Sequence, residues 1–371
     1  MLIGVPKEIK NHEYRVGLTP ESVAELVYAG QKVIVETGAG LGIGADDKSY
    51  RAAGASISKT AASIFKRADM IVKVKEPQAV ECKMLRKGQI LYTYLHLAPD
   101  PKQTKALLKS GCIGIAYETV TSDGGELPLL KPMSQVAGRL SIQAGATALQ
   151  KENKGRGVLL GGVPGVAPAK VIIIGGGVVG FNAAQMAVGL QADVTILDRD
   201  PDVMEGLSNY FKASAKILRS TPAVLADLVK TADLVVGAVL VPGAAAPKLI
   251  TRAMIKTMQA GAVLVDVAID QGGCFETSKA TTHADPTYII DDVVHYCVAN
   301  MPGAVARTST YALNAVTLSH AKAIARKGWK QACRDNKHLK EGLNVAEGKL
   351  TYAAVGEALG MEYVEVDSVL G

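Results

Sequence analysis

Four residues of different chemistry stand at comparable places along the chain: Arg15, Lys75, His96 and Asp270. Arg15 falls between the apolar run LIGV (2–5) and the helix start Thr19-Pro20-Glu21. Lys75 ends MIVKVK (70–75), His96 lies near the end of QILYTYLHL (89–97), and Asp270 ends AVLVDVAID (262–270). A guanidinium can hold a carboxylate through two parallel hydrogen bonds. An ammonium can polarise a neighbouring oxygen. An imidazole, with an ordinary pKa of about 6.5, gives and takes protons around neutrality, and a carboxylate can act as its partner. Each residue also has a plainer reading. Arginine and lysine mostly lie at the surface, a histidine in an apolar run is commonly a packed core residue, and an aspartate before Gln271-Gly272-Gly273 can cap a turn.

A second pattern is more specific. In VIIIGGGVVGFNAAQMAVGLQADVTILDRD (171–200), Gly175, Gly177 and Gly180 form G-x-G-x-x-G between an apolar strand and a helix. Such glycines allow a tight turn, close backbone approach to a pyrophosphate, and close helix–strand packing. Val178 then opens a helix whose N–H groups and dipole favour phosphate. The next strand ends at Asp198, where a carboxylate can accept both ribose hydroxyls and repel a 2′-phosphate. The pattern predicts a dinucleotide site that prefers NAD, although Arg199, beside the acid, can contact a phosphate.

The elements that must position these groups alternate. LIGV (2–5), KVIVE (32–36), MIVKVK (70–75), QILYTYLHL (89–97) and CIGIAYE (112–118) read as strands with helical spacers. A second βα series begins at Lys170. Alternation of this kind predicts an α/β fold with mostly parallel sheets, whose ligands gather beyond the carboxyl ends of the strands. Long helices are expected over 134–153 and from about 309 to 326. The expected organisation is residues 1–130 as the first part of a substrate domain, 131–305 as an inserted NAD-binding Rossmann domain, and 306–371 as the rest of the substrate domain. The whole is then two doubly wound domains linked by two long helices. No internal repeat is visible in the sequence.

Bulk composition narrows the class. The 371 residues are 48% hydrophobic and 20% charged, the balance of a globular protein with more than one core. Thirty-eight glycines against four phenylalanines and one tryptophan suit a turn-rich α/β chain. The net charge of +6 is dispersed; the densest basic run, RKGWKQACRDNKHLK (326–340), reads as a solvated helix face and not a nucleic-acid patch. Five scattered cysteines point to a reducing compartment, without disulfide or zinc frameworks. His12, His283, His295, His320 and His338 lack metal-ligand spacing, so no metal is expected. The start MLIGVPKEIK lacks an apolar leader, and the most apolar stretch (234–246) is too short for a bilayer and contains Pro242. A cytoplasmic, non-membrane protein is expected.

GVPKEIKNHEYRVGLTPESV (4–23) resembles the N-terminal signature of the alanine dehydrogenase and pyridine nucleotide transhydrogenase family. YLHLAPD (94–100), KPMSQVAGRLSIQAG (131–145), VAIDQGG (267–273), TTHADPTY (281–288), VHYCVANMPGAVARTSTYALNA (294–315) and GWKQACRDN (328–336) resemble the alanine dehydrogenase branch more specifically. The resemblance spans essentially the whole chain. It implies that Arg15 and Lys75 bind the substrate carboxylate and carbonyl, with Tyr94 and Met133 nearby, and that His96 and Asp270 are the acid/base pair. It places Ser134, Gly175, Gly177, Val178, Gly180, Asp198, Ser220, Val239, Leu240, Val267, Ala268, Ile269, Asp270, Lys279, Val298, Ala299, Asn300 and Met301 around NAD. Departures fall at Val203, where the family tends to carry a basic residue, at Lys279 (arginine) and at Ala306 (proline).

The resemblance implies reversible oxidative deamination of L-alanine to pyruvate and ammonium, in a homo-oligomer that is hexameric within the family. Closure of the cofactor domain on the substrate would bring Asp270 into play and exclude water. The main rival is the soluble NAD-handling component of a proton-translocating transhydrogenase. His96 and Asp270 in their sequence contexts speak against it, as does an end at Gly371 without a hydrophobic extension. An opine- or lysine-forming dehydrogenase and a non-catalytic NAD sensor are further alternatives.

Overall fold

The computed structural model of the protein describes residues 1–239 and 246–371. It divides into two compact units, Met1–Pro132 with Val305–Gly371, and Met133–Ala304. In chain order the strands are β1 (Leu2–Val5), β2 (Lys32–Glu36), β3 (Ser56–Ser58), β4 (Met70–Val72), β5 (Ile90–Thr93) and β6 (Ile113–Ala116). They continue with β7 (Lys170–Ile174), β8 (Asp193–Asp198), β9 (Lys216–Arg219), β10 (Leu234–Gly237), β11 (Val263–Asp266), β12 (Thr287–Ile290) and β13 (Val293–Tyr296). The last two are β14 (Leu343–Ala346) and β15 (Lys349–Leu350).

Among the described residues the first unit holds an eight-stranded sheet, ordered β15-β14-β6-β5-β4-β1-β2-β3. The second holds a seven-stranded sheet, ordered β12-β13-β11-β10-β7-β8-β9. The parallel strands of the two sheets follow one plan. In the first, β1 pairs with β2 and β4, and the chain then steps outward through β5 to β6. In the second, β7 pairs with β8 and β10, followed by β11 and β13. Each sheet therefore reverses its strand order once, between β1 and β4 and between β7 and β10, and such reversals open the crevice where ligands of parallel sheets bind. Antiparallel strands finish one edge of each sheet: β14 beside β6, and β12 beside β13. The α/β reading of the sequence holds, and the shared topology appears without any sequence repeat.

The central parallel strands β5, β6, β10 and β11 are buried throughout, while the edge strand β9 is mostly exposed. ILYT, IGIA, LVVG and VLVD show no exposed position, as expected when helices cover both faces of a sheet. In the second unit Ala183, Ala184 and Ala187 of the helix Val178–Gly189 pack on a cluster with Val171, Ile173 and Ile196. These small side chains let the helix approach the strands closely. Truncating Ile173 to alanine in so tight a layer costs about 2–5 kcal/mol. The helix Pro20–Tyr28 starts as its sequence predicts: the Thr19 hydroxyl accepts the Ser22 N–H at 3.2 Å, and Pro20 occupies the first turn.

Several strands end earlier than their apolar runs. β4 stops at Val72, so Lys73 and Lys75 lie beyond it; β5 stops at Thr93, three residues before His96. Asp270 lies not at a strand end but on a short 3-10 helix, Val267–Gln271. The long helices run from Lys131 to Ala148 and from Ala306 to Lys327. The basic run 326–340 forms two short helices and does more than face solvent: Arg334 donates to the Leu370 and Gly371 carbonyls, and Lys340 pairs with Asp367 at 3.0 Å. Among the described residues no helix is long and apolar enough to cross a membrane.

Candidate active site

In the first unit Arg15, Lys75, Tyr94 and His96 follow β1, β4 and β5, three adjacent strands at the reversal of strand order. Arg15 is buried, with 2% of its side chain exposed. Glu13 grips it from the same loop, accepting from Nε at 2.7 Å and from Nη2 at 2.6 Å. Burial alone would pull the guanidinium pKa down; the Glu13 carboxylate outweighs it and holds the charge firmly in place. Arg15 also lies within electrostatic reach of the Tyr94 hydroxyl and of Glu8.

Tyr94 links arginine to histidine. Its hydroxyl donates to the Leu129 carbonyl at 2.7 Å, and burial pushes its pKa up, so it remains a neutral phenol. Its ring stacks on the His96 imidazole, with centroids 5.7 Å apart and planes within 6°. His96 is 42% exposed, unlike a packed core histidine. Its backbone adopts φ 47°, a left-handed conformation uncommon outside glycine. Glu118 holds that conformation by accepting the N–H groups of Leu95 at 3.1 Å and His96 at 2.6 Å. The Glu118 carboxylate also lies 3.9 Å from His96 Nδ1.

Lys75 is half-buried, and its backbone N–H is directed at the Glu8 carboxylate at 3.3 Å. Beneath it lies Lys73, wholly buried between Glu8 at 2.9 Å and Glu81 at 2.8 Å. Burial works against the Lys73 ammonium, but the two carboxylates outweigh it and keep the group charged.

In the second unit most of the expected cofactor residues follow the carboxyl ends of β7, β8, β9, β10, β11 and β13. Gly175 has φ 100°, and Gly177 caps the N-terminus of the helix Val178–Gly189 without a side-chain hydrogen bond. A Cβ on Gly180 would sit 1.7 Å from the Gly175 carbonyl, so helix and strand meet there at backbone distance. A Cβ on Gly177 would meet no atom within 4 Å, leaving open space at the helix N-terminus, where unpaired N–H groups favour an anion. Val178 borders it and is 37% exposed. Asp198 is fixed at the end of β8: Oδ2 accepts the Gly176 N–H at 2.6 Å, and Oδ1 those of Arg199 at 2.7 Å and Asp200 at 3.0 Å. Ser220 donates its N–H to the Asp198 carbonyl at 2.7 Å. Val239 follows β10, whereas Leu240 lies outside the described residues.

Val267, Ala268, Ile269 and exposed Asp270 occupy the short helix after β11. Asp266, wholly buried, organises this segment by accepting Ala268 N–H at 3.1 Å, Cys274 N–H at 2.9 Å and the Ser278 hydroxyl. Burial pushes its carboxyl pKa up despite these bonds. Val298, Ala299, Asn300 and Met301 follow β13; Asn300 has φ 65° and its carbonyl bonds to His283 Nε2 at 3.0 Å. Lys279 is exposed and donates its backbone N–H to the Tyr288 hydroxyl at 2.7 Å. Met133 and Ser134 lie on the first turn of the helix Lys131–Ala148, Met133 buried and Ser134 half-buried. Among the described residues no cluster of histidine, cysteine, aspartate or glutamate is arranged for a metal ion.

Glu8, Glu13, Lys73, Glu118 and Asp266 were not expected from the sequence. The strand-end rule that selected His96 also points to Glu118, which ends CIGIAYE, and to Asp266, which ends VLVD. Nothing in the sequence marks Glu8 or Glu13 as buried.

Residues 4–137 match the family model of the alanine dehydrogenase/PNT N-terminal domain, and residues 141–353 that of the alanine dehydrogenase/PNT C-terminal domain. The chain belongs to the alanine dehydrogenase/PNT family. Within this family, an alanine dehydrogenase of Halomonas elongata is 59% identical over 371 residues, covering 100% of both chains. A solved L-alanine dehydrogenase superposes with a TM-score of 0.94 at 50% identity, covering 97% of this chain and 99% of the other. A transhydrogenase of Sinorhizobium meliloti has the same fold but is more distant, with a TM-score of 0.83 at 26% identity over 95% of this chain and 100% of that one. These similarities favour the dehydrogenase branch over the transhydrogenase rival.

Proposed function

We propose that the protein is an NAD-dependent alanine dehydrogenase, catalysing the reversible oxidative deamination of L-alanine to pyruvate and ammonium. The observation that carries this reading is the gathering of Arg15, Lys75, Tyr94 and His96 at one strand reversal, in a chain 59% identical along its length to an alanine dehydrogenase. Bound NAD supplies the hydride acceptor for the substrate Cα–H. Arg15, held by Glu13 before substrate arrives, takes the substrate carboxylate and fixes the direction of that bond. Lys75 donates to the oxygen on the neighbouring carbon. After hydride departs the substrate is an iminium; His96 takes a proton from the water that adds to it, then returns a proton as the carbinolamine expels ammonia. Exposure of His96 suits proton exchange with water. Asp270 is the second acid/base group, carried by the dinucleotide-binding unit.

The preference for NAD is assigned to Asp198. Its carboxylate is locked by three backbone N–H groups at the end of β8, where a 2′-phosphate would meet like charge. Met133 is assigned to the substrate side, and the residues after β10, β11 and β13 to the NAD side. Five cysteines, all free and buried, support a reducing, cytoplasmic setting. The assembly is proposed to be a homo-hexamer.

The test is an absorbance assay with NADH, pyruvate and ammonium. Oxidation of NADH that requires both co-substrates is the expected result. Turnover only with lysine as amine donor, or only with a second nucleotide-binding protein, would replace this reading with a rival.

A further inference from the structure

The loop between β1 and its helix, residues 6–19, must place Arg15 without regular secondary structure. Its second half is tied to the helix Ala306–Lys327. Thr310 Oγ1 accepts the Val16 N–H at 3.4 Å, and Asn314 bonds both the Thr19 N–H at 3.0 Å and the Gly17 carbonyl at 3.1 Å. The first half borders a cavity of about 390 Å³ lined in part by Lys7, Glu8, Lys10 and Arg15, so packing alone does not brace it. What braces it is charge. Glu8 Oε1 accepts the N–H of Val74 at 2.7 Å and of Lys75 at 3.3 Å, while its Oε2 accepts Lys73 Nζ at 2.9 Å. Two residues on, Lys10 pairs with Glu76. Residues 8 and 10 are thus stitched to residues 73–76.

We propose that Glu8 is a positioning residue: its buried carboxylate ties the loop carrying Arg15 to the backbone carrying Lys75, setting the guanidinium and ammonium at the spacing one small 2-oxo acid requires. The inference rests on the proposed function, because it takes Arg15 and Lys75 as the substrate grip. The ledger of the buried groups explains the form of the stitch. A lone glutamate would be expelled or protonated in this setting, and burial does push Glu8 upward. Lys73 offsets that burial, and Glu81, whose Oε2 accepts the Gln78 N–H at 2.8 Å, completes the charge around Lys73. Lys73 therefore works against the burial and holds Glu8 in place, whereas Glu81 shares the Lys73 charge and itself pushes Glu8 upward.

The test uses the full chain with three variants: Glu8→Ala, Glu8→Gln, and the triple change Glu8→Gln, Lys73→Met, Glu81→Gln. In Glu8→Ala the two backbone donors lose their acceptor. The pyruvate KM is expected to rise about tenfold, the equivalent of one such hydrogen bond, while NADH affinity stays as in the wild type. Glu8→Gln turns an amide NH₂ towards the Lys73 ammonium and is expected to behave similarly. The triple variant removes that clash, keeps an amide oxygen for Val74 and Lys75, and should return the KM towards the wild-type value. A merely structural role would lower Tm without this rescue. Hydrogen exchange gives a readout that does not depend on turnover: in Glu8→Ala the segments 9–15 and 74–76 should lose protection together. Unchanged pyruvate KM in Glu8→Ala, or exchange protection that stays intact in both segments, overturns the proposal. Absence of pyruvate turnover in the wild type defeats the proposed function instead, and the exchange result still decides whether the stitch exists.

Discussion

Gly177 and Gly180 lie three residues apart on one turn, yet the structure assigns them opposite roles. Replacing Gly177 with alanine adds a methyl group that meets no atom within 4 Å. Its φ of −66° and ψ of −164° are open to alanine. The free protein therefore loses about 0.5 kcal/mol of N-cap preference and regains a similar amount, about 0.4–1 kcal/mol, from the less flexible unfolded chain. Its Tm should hardly move. The same methyl enters the space assigned to pyrophosphate and separates phosphate from the helix N–H groups. Losing one charge-assisted hydrogen bond there costs about 1.5–3 kcal/mol, or about 10- to 150-fold in Kd.

At Gly180 the added carbon would sit 1.7 Å from the Gly175 carbonyl oxygen, where contact needs about 3.3 Å. Helix and strand must part by about 1.6 Å, an overpacking cost of about 1–3 kcal/mol. For a unit of this size Tm falls by about 2–4 °C per kcal/mol. Fluorescence titration with NADH and thermal melts of both variants read the two effects separately. If Gly177→Ala bound NADH as the wild type does, the open space before the helix would not be the phosphate site, and the assignment would fail.

Other outcomes follow from the same geometry. His96→Ala should lower kcat by about 10²–10⁴-fold with NADH affinity retained; a variant keeping its kcat would remove His96 from the chemistry. Arg15→Lys keeps a cation for Glu13 but loses the planar fork, so the pyruvate KM should rise about tenfold in steady-state assays. Asp198→Ala should narrow the preference for NADH over NADPH, and an unchanged ratio of kcat/KM values would contradict its assigned role. Burial pushes the thiols of Cys82, Cys112 and Cys297 up to about 11 and that of Cys333 to about 12, with Cys274 also raised. Since the thiolate is the nucleophile, all five cysteines should resist a disulfide reagent at pH 8 until the chain is unfolded. Rapid labelling of the native protein would show that these sites open.

Much of the architecture was legible because it follows from pattern. Apolar runs alternating with amphipathic spacers require parallel strands covered by helices, and LIGV and KVIVE became strands over the same residues. The glycine fingerprint carried its own geometry. Strand lengths were less legible: apolar residues continue past Val72 and Thr93 because the following loops are buried too, and apolar character alone does not separate ladder from loop. Least legible were the buried charges. Lys73, Glu8, Glu13 and Asp266 carry charges that apolar pattern does not place in a core, since a charge enters one only when its partners stand ready, and some of those partners come from distant parts of the chain. Glu8 and Lys73, for example, are 65 positions apart.

The parallel strands of the two sheets share one order but are joined to their first helices by connections of unlike length. In the second, residues 175–177 alone join strand to helix, leaving a shallow ledge of bare main chain along which a long ligand can lie. In the first, fourteen residues, 6–19, make the equivalent connection and carry Arg15. The two units thus differ most plainly in the length of a single connection, and exchanging that connection would be the most direct way to give this scaffold a different guest.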